Sequence, residues 1–317
     1  MKIAIIGAGL CGLASAWHLL QTPKTQITIF DPKGPGGGAS GIASGLLHYY
    51  AGAHAKFNWK GLEGMAATKK LLAVAEKAIG IPVAAQKGLL RLAVSEEQRQ
   101  DYALCAKKFA DVRSVQNLPI AGLNPLPGIF IESAMTVECR LYLEGLWKAC
   151  QNQGALMEKT SVSSLTELQS YDRILITAGA STGKFKEACH LPFTLVKGQV
   201  LELDYPAEFP FPINSKAYLI KQQDSYVAGS TFERDFKNED ADQNTAIQQI
   251  IPKLSLLIPN IEKIPIIGCR AGIRVSTPDH LPLIKQLNDK CWILTGMGSK
   301  GLLYHGLYAE QVAKLIT

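Results

Sequence analysis

The sequence lacks several features that would have narrowed its class at once. Its seven cysteines (Cys11, Cys105, Cys139, Cys150, Cys189, Cys269 and Cys291) include no C-x-x-C pair. An odd number without close spacing points to reduced thiols, and away from a disulfide framework or a zinc site. No apolar run reaches transmembrane length, and the apolar opening is broken by Gly7 to Gly12 before it could act as a signal core. Charged residues make up only 19% of the chain, and its net charge of +6 is scattered, so nucleic acid is a possible but not a favoured partner. There is no internal repeat. His48, His54, His280 and His305 show no metal spacing, so no metal centre is expected, and His280 reads as a turn residue. What remains is a cytoplasmic globular protein of 317 residues, 47% hydrophobic, with one large or two closely joined domains.

What is present begins at the first residues. Lys2 to Ile6 is short, apolar and β-rich, as a strand buried on both faces of a parallel sheet should be. Gly7-Ala8-Gly9-Leu10-Cys11-Gly12 follows at the turn into an apolar helix pattern, and Ile27 to Phe30 forms a second strand ending at Asp31. Gly7 suits the tight turn, Gly9 lets a pyrophosphate reach the helix amino end, and Gly12 lets helix and strand pack closely. Asp31 is placed to accept hydrogen bonds from both ribose hydroxyls. The fingerprint senses only an ADP moiety, so NAD and FAD both remain open.

Pro32 to Gly41 is too glycine-rich for a strand or helix, and the small-residue run Ile42 to Leu47 allows close approach to a large planar ligand. Gly61 to Ala78 is expected to be a helix and Lys87 to Val94 a strand of another layer, with a domain crossing near residue 80. The pattern predicts a helix over Thr136 to Asn152, a strand through Thr160 to Val162, and a return to the first sheet over Tyr171 to Ala180. Period-two segments at Leu195–Leu203, Ala217–Ile220 and Ser225–Gly229 read as antiparallel strands. Asp240 to Ile258 reads as a surface helix, Ile264 to Ser276 as strand-like, and Cys291 to Gly296 as a last buried strand. The terminal helix opens at Gly298 to Gly301, with Leu302, Leu303, Leu307, Val312 and Leu315 as its apolar stripe. That helix start and Lys300 could hold an anion, such as the N1/C2 carbonyl edge of a reduced flavin; a plainly capped helix with an exposed lysine is the alternative.

In this order and spacing, six segments resemble the D-amino-acid oxidase-like flavoproteins, which include glycine oxidase, sarcosine oxidase and the oxidase half of the bifunctional tRNA wobble-uridine modification enzyme. They are the opening fingerprint with Asp31, Gly38-Ala-Ser-Gly41 with Gly45-Leu-Leu47, Thr177-Ala-Gly-Ala180, Lys197-Gly-Gln-Val200, Arg270 to Pro282, and Gly296-Met-Gly-Ser-Lys-Gly301. The resemblance implies a mixed α/β fold: a Rossmann-like FAD-binding domain of the glutathione-reductase type with an interleaved antiparallel β-sheet substrate domain. Residues 1–80, 135–185 and 265–317 would form the first, and 81–134 and 186–264 the second. Non-covalent FAD would meet Gly7, Ala8, Gly9, Leu10, Cys11, Gly12, Asp31, Pro32, Ala39, Ser40, Ala43, Ser44, Gly45, Leu46, Ala178, Gly179, Gly298, Ser299, Lys300, Gly301 and Leu302, with the Val162 backbone against adenine. Cys269 lies too far upstream to match the cysteine that carries flavin in sarcosine-oxidase-type members.

The resemblance also implies an activity, the oxidation of a carboxylate-bearing primary or secondary amine of amino-acid or N-substituted glycine type by hydride transfer to flavin N5. Arg274 would anchor the carboxylate through its guanidinium fork, or else pair with Asp279 as a structural ion pair. Tyr218 would close the pocket or pack as an ordinary strand tyrosine, and Lys300 is the third candidate catalytic residue. Relatives of the glycine-oxidase type carry His or Arg where this chain has Met297, Ser299 and Lys300, so the identity of the amine does not transfer. The alternatives are a tRNA wobble-uridine side-chain oxidase and a non-catalytic flavin-binding redox module. An NAD-linked dehydrogenase ranks last because it leaves the carboxyl-terminal pattern unexplained.

Overall fold

Lys2–Ile6 is a strand with its last four residues buried, parallel to Gln26–Phe30 on one side and Arg173–Ile176 on the other. The computed structural model, which describes residues 1–116, 120–222 and 225–317, extends this pair of ladders into a six-stranded sheet. Its order is Leu156–Glu158, Gln26–Phe30, Lys2–Ile6, Arg173–Ile176, Cys291–Thr295 and Leu283–Gln286, all parallel except the last. Alternate residues face opposite layers, as strand geometry requires. Ile3, Ile5, Ile27 and Ile29 pack on helices, whereas Ala4, Ile6, Phe30 and Ile174 pack on Leu165, Leu168 and Phe185.

The helices are α1 (Leu10–Leu20), α2 (Ala39–Ile42), α3 (Gly61–Ile79), α4 (Glu96–Lys108), α5 (Cys139–Asn152), α6 (Gln243–Leu254) and α7 (Gly301–Ile316). Helices α1, α3, α5 and α7 pack on one another over the first face of the sheet. Two glycines set how deeply α1 sits. Gly7 has φ +109°, and a Cβ there would lie 2.5 Å from the Thr177 carbonyl oxygen. A Cβ at Gly12 would lie 1.9 Å from the Gly7 carbonyl oxygen, so any larger residue lifts the helix off the strand. A fully buried pair joins α5 to α7: Tyr142 Oη donates to His305 Nε2 at 2.7 Å, while His305 Nδ1 donates to the Gly301 carbonyl at 3.0 Å. Burial holds the His305 imidazole down at about 4.

The second sheet has eight strands, in the order Ile266–Ser276, Thr194–Leu203, Ser225–Gly229, Tyr218–Gln222, Ile213–Asn214, Leu89–Leu92, Gly128–Ile131 and Val112–Val115. It is antiparallel except where Ile213–Asn214 runs beside Leu89–Leu92. Helix α6 covers one face through Ala246, Ile250 and Leu254.

The structure corrects five expectations. Residues 266–276 pair along the Thr194–Leu203 strand, so they belong to the eight-stranded sheet and not to the six-stranded one, as a boundary at 265 would have it. The helix expected from Thr136 starts at Cys139, because Met135–Val137 is spent as a strand between Leu46–Leu47 and Ala84–Ala85. The strand expected through Thr160–Val162 lies at Leu156–Glu158. Its partner ends at Phe30, which leaves residues 160–162 nothing to pair with. Helix α6 runs from Gln243 to Leu254 and not from Asp240 to Ile258; its start is set by the Asp242 carboxylate, which caps it by accepting from Thr245 N–H at 3.1 Å. Leu315 is 61% exposed and leaves the stripe, whose buried face is completed by Tyr304, His305 and Tyr308.

Two measurements test this packing. Gly12→Ala is expected to cost about 2 kcal/mol or more by overpacking, read as a lower denaturation midpoint. Below its ordinary value of 6.5 the unfolded imidazole of His305 binds a proton that the folded one refuses until about 4. Its contribution, on the order of 3 kcal/mol, is whole above that range and is lost as pH falls through it. Denaturation between pH 7 and 4.5 should show a flatter pH slope for His305→Gln than for the wild type; equal slopes would contradict this account.

Candidate active site

The carboxyl ends of three adjacent parallel strands, Lys2–Ile6, Arg173–Ile176 and Cys291–Thr295, lead into Gly7, Thr177 and Gly296. In sheets of this kind, ligands bind in the crevice beyond those ends. A cavity opens there, with the inner face of the eight-stranded sheet as its far wall. Gly9, Leu10 and Cys11, the run Ala39–Ser40 and Ile42–Leu46, and Thr177 with Gly179 line it from the first sheet. Thr295–Ser299, Gly301 and Leu302 complete that side, and Gly198, Val200, Tyr218, Ser230 and Gly272–Val275 form the opposite wall.

Two helices begin at this cavity with no side-chain cap, α1 after Gly9 and α7 after Lys300, and neither carries an acid in its first turn. Their free N–H groups and dipoles make two places suited to negative charge. The Leu10 N–H donates to Ser40 Oγ at 3.2 Å, which ties the glycine turn to the small-residue wall. The Asp31 carboxylate braces the same turn: one oxygen accepts from Ala8 N–H at 2.8 Å, the other from Lys33 and Gly34 N–H at 2.8 and 2.9 Å. Three backbone N–H groups thus already meet the roughly four lone-pair sites of this carboxylate.

On the opposite wall, half-buried Arg274 donates from Nη2 to Ser230 Oγ at 2.9 Å. Among the described residues no carboxylate pairs with it. The alternative partner, Asp279, accepts instead from Leu281 N–H at 3.1 Å. Burial lowers the guanidinium's pKa, though it starts so high that the group remains a cation. Burial also raises that of the Tyr218 phenol, which lies beside the Ser44 and Ser230 hydroxyls and stays protonated. Among the described residues no His, Asp, Glu or Lys lines the cavity, and no group of His, Cys, Asp or Glu could hold a metal ion.

Most candidate residues named from the sequence meet at this cavity. Gly7, Gly12, Ala8, Ala178, Asp31, Pro32 and Val162 do not line it; the first two are used up in packing. Lys300 also turns away: its ammonium donates to the His280 carbonyl at 2.9 Å and lies over the Tyr304 ring. His280 itself occupies a turn at φ +57°. Sequence reasoning missed Thr177, Gly198, Val200, Ser230 and Thr295 as lining residues. Gly198, a glycine inside a strand pattern, carried a readable signal of close approach; Ser230 carried none.

The FAD dependent oxidoreductase family (DAO) matches residues 2–315. Glycine oxidase of Bacillus licheniformis is 26% identical over 347 aligned residues, which cover 98% of this chain and 92% of that protein. The tRNA 5-methylaminomethyl-2-thiouridine biosynthesis bifunctional protein MnmC of Polaromonas naphthalenivorans is 25% identical over 361 residues, 98% of this chain but 56% of that protein. Among solved structures, glycine oxidase from Geobacillus kaustophilus has a TM-score of 0.84 at 21% identity, with 99% of this chain and 94% of that one covered. Iminodiacetate oxidase from Chelativorans sp. BNC1 has a TM-score of 0.80 at 19% identity, with the same coverage of both chains. With the family match running from Lys2 to Leu315 and the glycine turn, Asp31 and both helix starts in place, the chain belongs to the FAD dependent oxidoreductase family.

Proposed function

We propose that this protein binds FAD without a covalent link and oxidises a primary or secondary amine that carries a carboxylate, of amino-acid or N-substituted glycine type. The observation that carries this reading is Arg274, a partly buried cation facing the cavity with a serine hydroxyl but no anion beside it. Withdrawing a guanidinium from water is costly unless an anion meets it, and its planar fork matches a carboxylate. The protonated Tyr218 phenol is a second donor on the same wall. The names of two similar proteins, glycine oxidase and iminodiacetate oxidase, each contain an amino carboxylate, which supports the same substrate class.

The residues present fit FAD. The uncapped start of α1, with Ser40, would hold the pyrophosphate, and Ala43–Leu46 with Gly298, Ser299 and the start of α7 would hold the ring. Cys11 is the cysteine that lines the cavity, and burial pushes its thiol up to about 12, so it remains protonated and unreactive. This supports a non-covalent cofactor, and the free thiols suit a reducing compartment such as the cytoplasm. When bound, FAD supplies the two-electron acceptor. The chain supplies position: Arg274 fixes the carboxylate, Tyr218 steadies it, and the apolar and hydroxyl lining restricts water. With no carboxylate or imidazole at the cavity among the described residues, the amine would arrive already neutral, and orientation would carry the rate. In this reading residues 1–80, 135–185 and 277–317 hold the flavin, and 81–134 and 186–276 face the substrate.

The purified protein should be yellow and should bleach anaerobically with at least one of glycine, sarcosine and iminodiacetate, but not with propylamine, which lacks a carboxylate. Bound flavin that no amino carboxylate reduces would favour a redox module instead, and reduction only by a tRNA-borne side chain would favour the RNA alternative. Arg274→Ala should raise KM for the reactive amine about 100-fold with flavin content unchanged. Tyr218→Phe should raise it about fivefold.

A further inference from the structure

Resting on the carboxylate-binding reading of Arg274, we infer that Gly198 and Ser230 are positioning residues that fix where its guanidinium lies, and so help determine specificity for a carboxylate. Strand register pairs Val196 with Arg274 and Gly198 with Gly272, which makes Gly198 a diagonal neighbour of the arginine on the cavity face. The arginine occupies the space that a side chain at 198 would fill. A Cβ there would lie 2.0 Å from Nη2, 2.4 Å from Cζ and 3.0 Å from Nε of Arg274. Gly198 is not among the residues with positive φ, so the strand backbone does not call for a glycine. A glycine inside a strand ordinarily weakens it, and here the empty position is where the guanidinium lies flat.

The other contact is equally constrained. Ser230 Oγ accepts from Arg274 Nη2, and the segment that carries Ser230 is fastened to the residues on either side of Gly198. Lys197 and Glu233 exchange backbone hydrogen bonds at 2.9 Å in both directions, and Thr231 N–H donates to the Gln199 carbonyl at 3.1 Å. The buried Gln199 amide donates to the Glu233 carboxylate at 2.9 Å and accepts from Asp242 N–H at 2.6 Å. One strand segment therefore leaves space for the guanidinium on its cavity face and pins the hydroxyl that meets it through its other face. The arrangement recurs beside Tyr218: its strand partner is Gly229, where a Cβ would lie 2.5 Å from Tyr218 Oη.

The test uses the holoenzyme, with acetate as the probe and acetamide as its uncharged control, followed by calorimetry. Gly198→Ala should weaken acetate about tenfold and Ser230→Ala about fivefold, with acetamide binding, melting temperature and flavin content unchanged. Ser230→Thr, which keeps the hydroxyl, should restore acetate binding. The atoms that a Cβ at 198 would displace are the flexible end of Arg274 and not backbone, so the fold should tolerate the change; should it not, Ser230→Ala decides alone. Loss of acetate binding in Arg274→Ala with wild-type affinity in the other two variants would overturn the positioning role only. No acetate binding by the wild type, or unchanged binding in Arg274→Ala, would overturn the carboxylate reading itself.

Discussion

The close seating of α1 on the first strand is the constraint from which the rest of the site follows. The Gly12 position lies against the Gly7 carbonyl, and Thr177 Oγ1 donates to the Ile6 and Gly7 carbonyls at 2.9 and 3.2 Å. These contacts lock the ends of two neighbouring strands together. They also hold the amino end of α1 at the cavity beyond the sheet. Any side chain at Gly12 would raise the helix and shift its amino end at the cavity, so stability and the shape of the cavity share one steric condition.

The opposite wall obeys a similar condition with a different purpose. Burying Arg274 and Tyr218 in a sheet face requires space and polar partners, and glycines at 198 and 229 with hydroxyls at Ser44 and Ser230 provide both. A cation left without an anion in such a place is poorly solvated, which is the physical basis of the carboxylate proposal. Among the described residues the lining has no carboxylate or imidazole to accept a proton.

How far the sequence could be read depended on the range of the interactions involved. The strand, glycine turn, helix and acid at the amino end were legible because each is local: a buried strand, a tight turn and a close helix crossing impose their residues within a few positions. Thr136 and Val162 misled because strand pairing, not propensity, decided their segments. Thr136 found partners on both sides, and residues 160–162 found none. Lys300 misled for another reason. A lysine at a helix start has the right charge for an anion, but its long side chain is captured by the His280 carbonyl, twenty positions away in sequence.

By itself, then, the sequence made legible the opening strand, glycine turn, helix and acid, and offered Arg274 and Lys300 as candidate cations. Local sterics and side-chain chemistry fix those without knowledge of the partners. Only the tertiary structure decided that residues 266–276 cross to the eight-stranded sheet, that Asp31 spends most of its acceptor sites on its own turn, and that Ser230 meets Arg274. Each of these depends on strand register between segments far apart in the chain, and a one-residue slip there would turn every side chain to the other face.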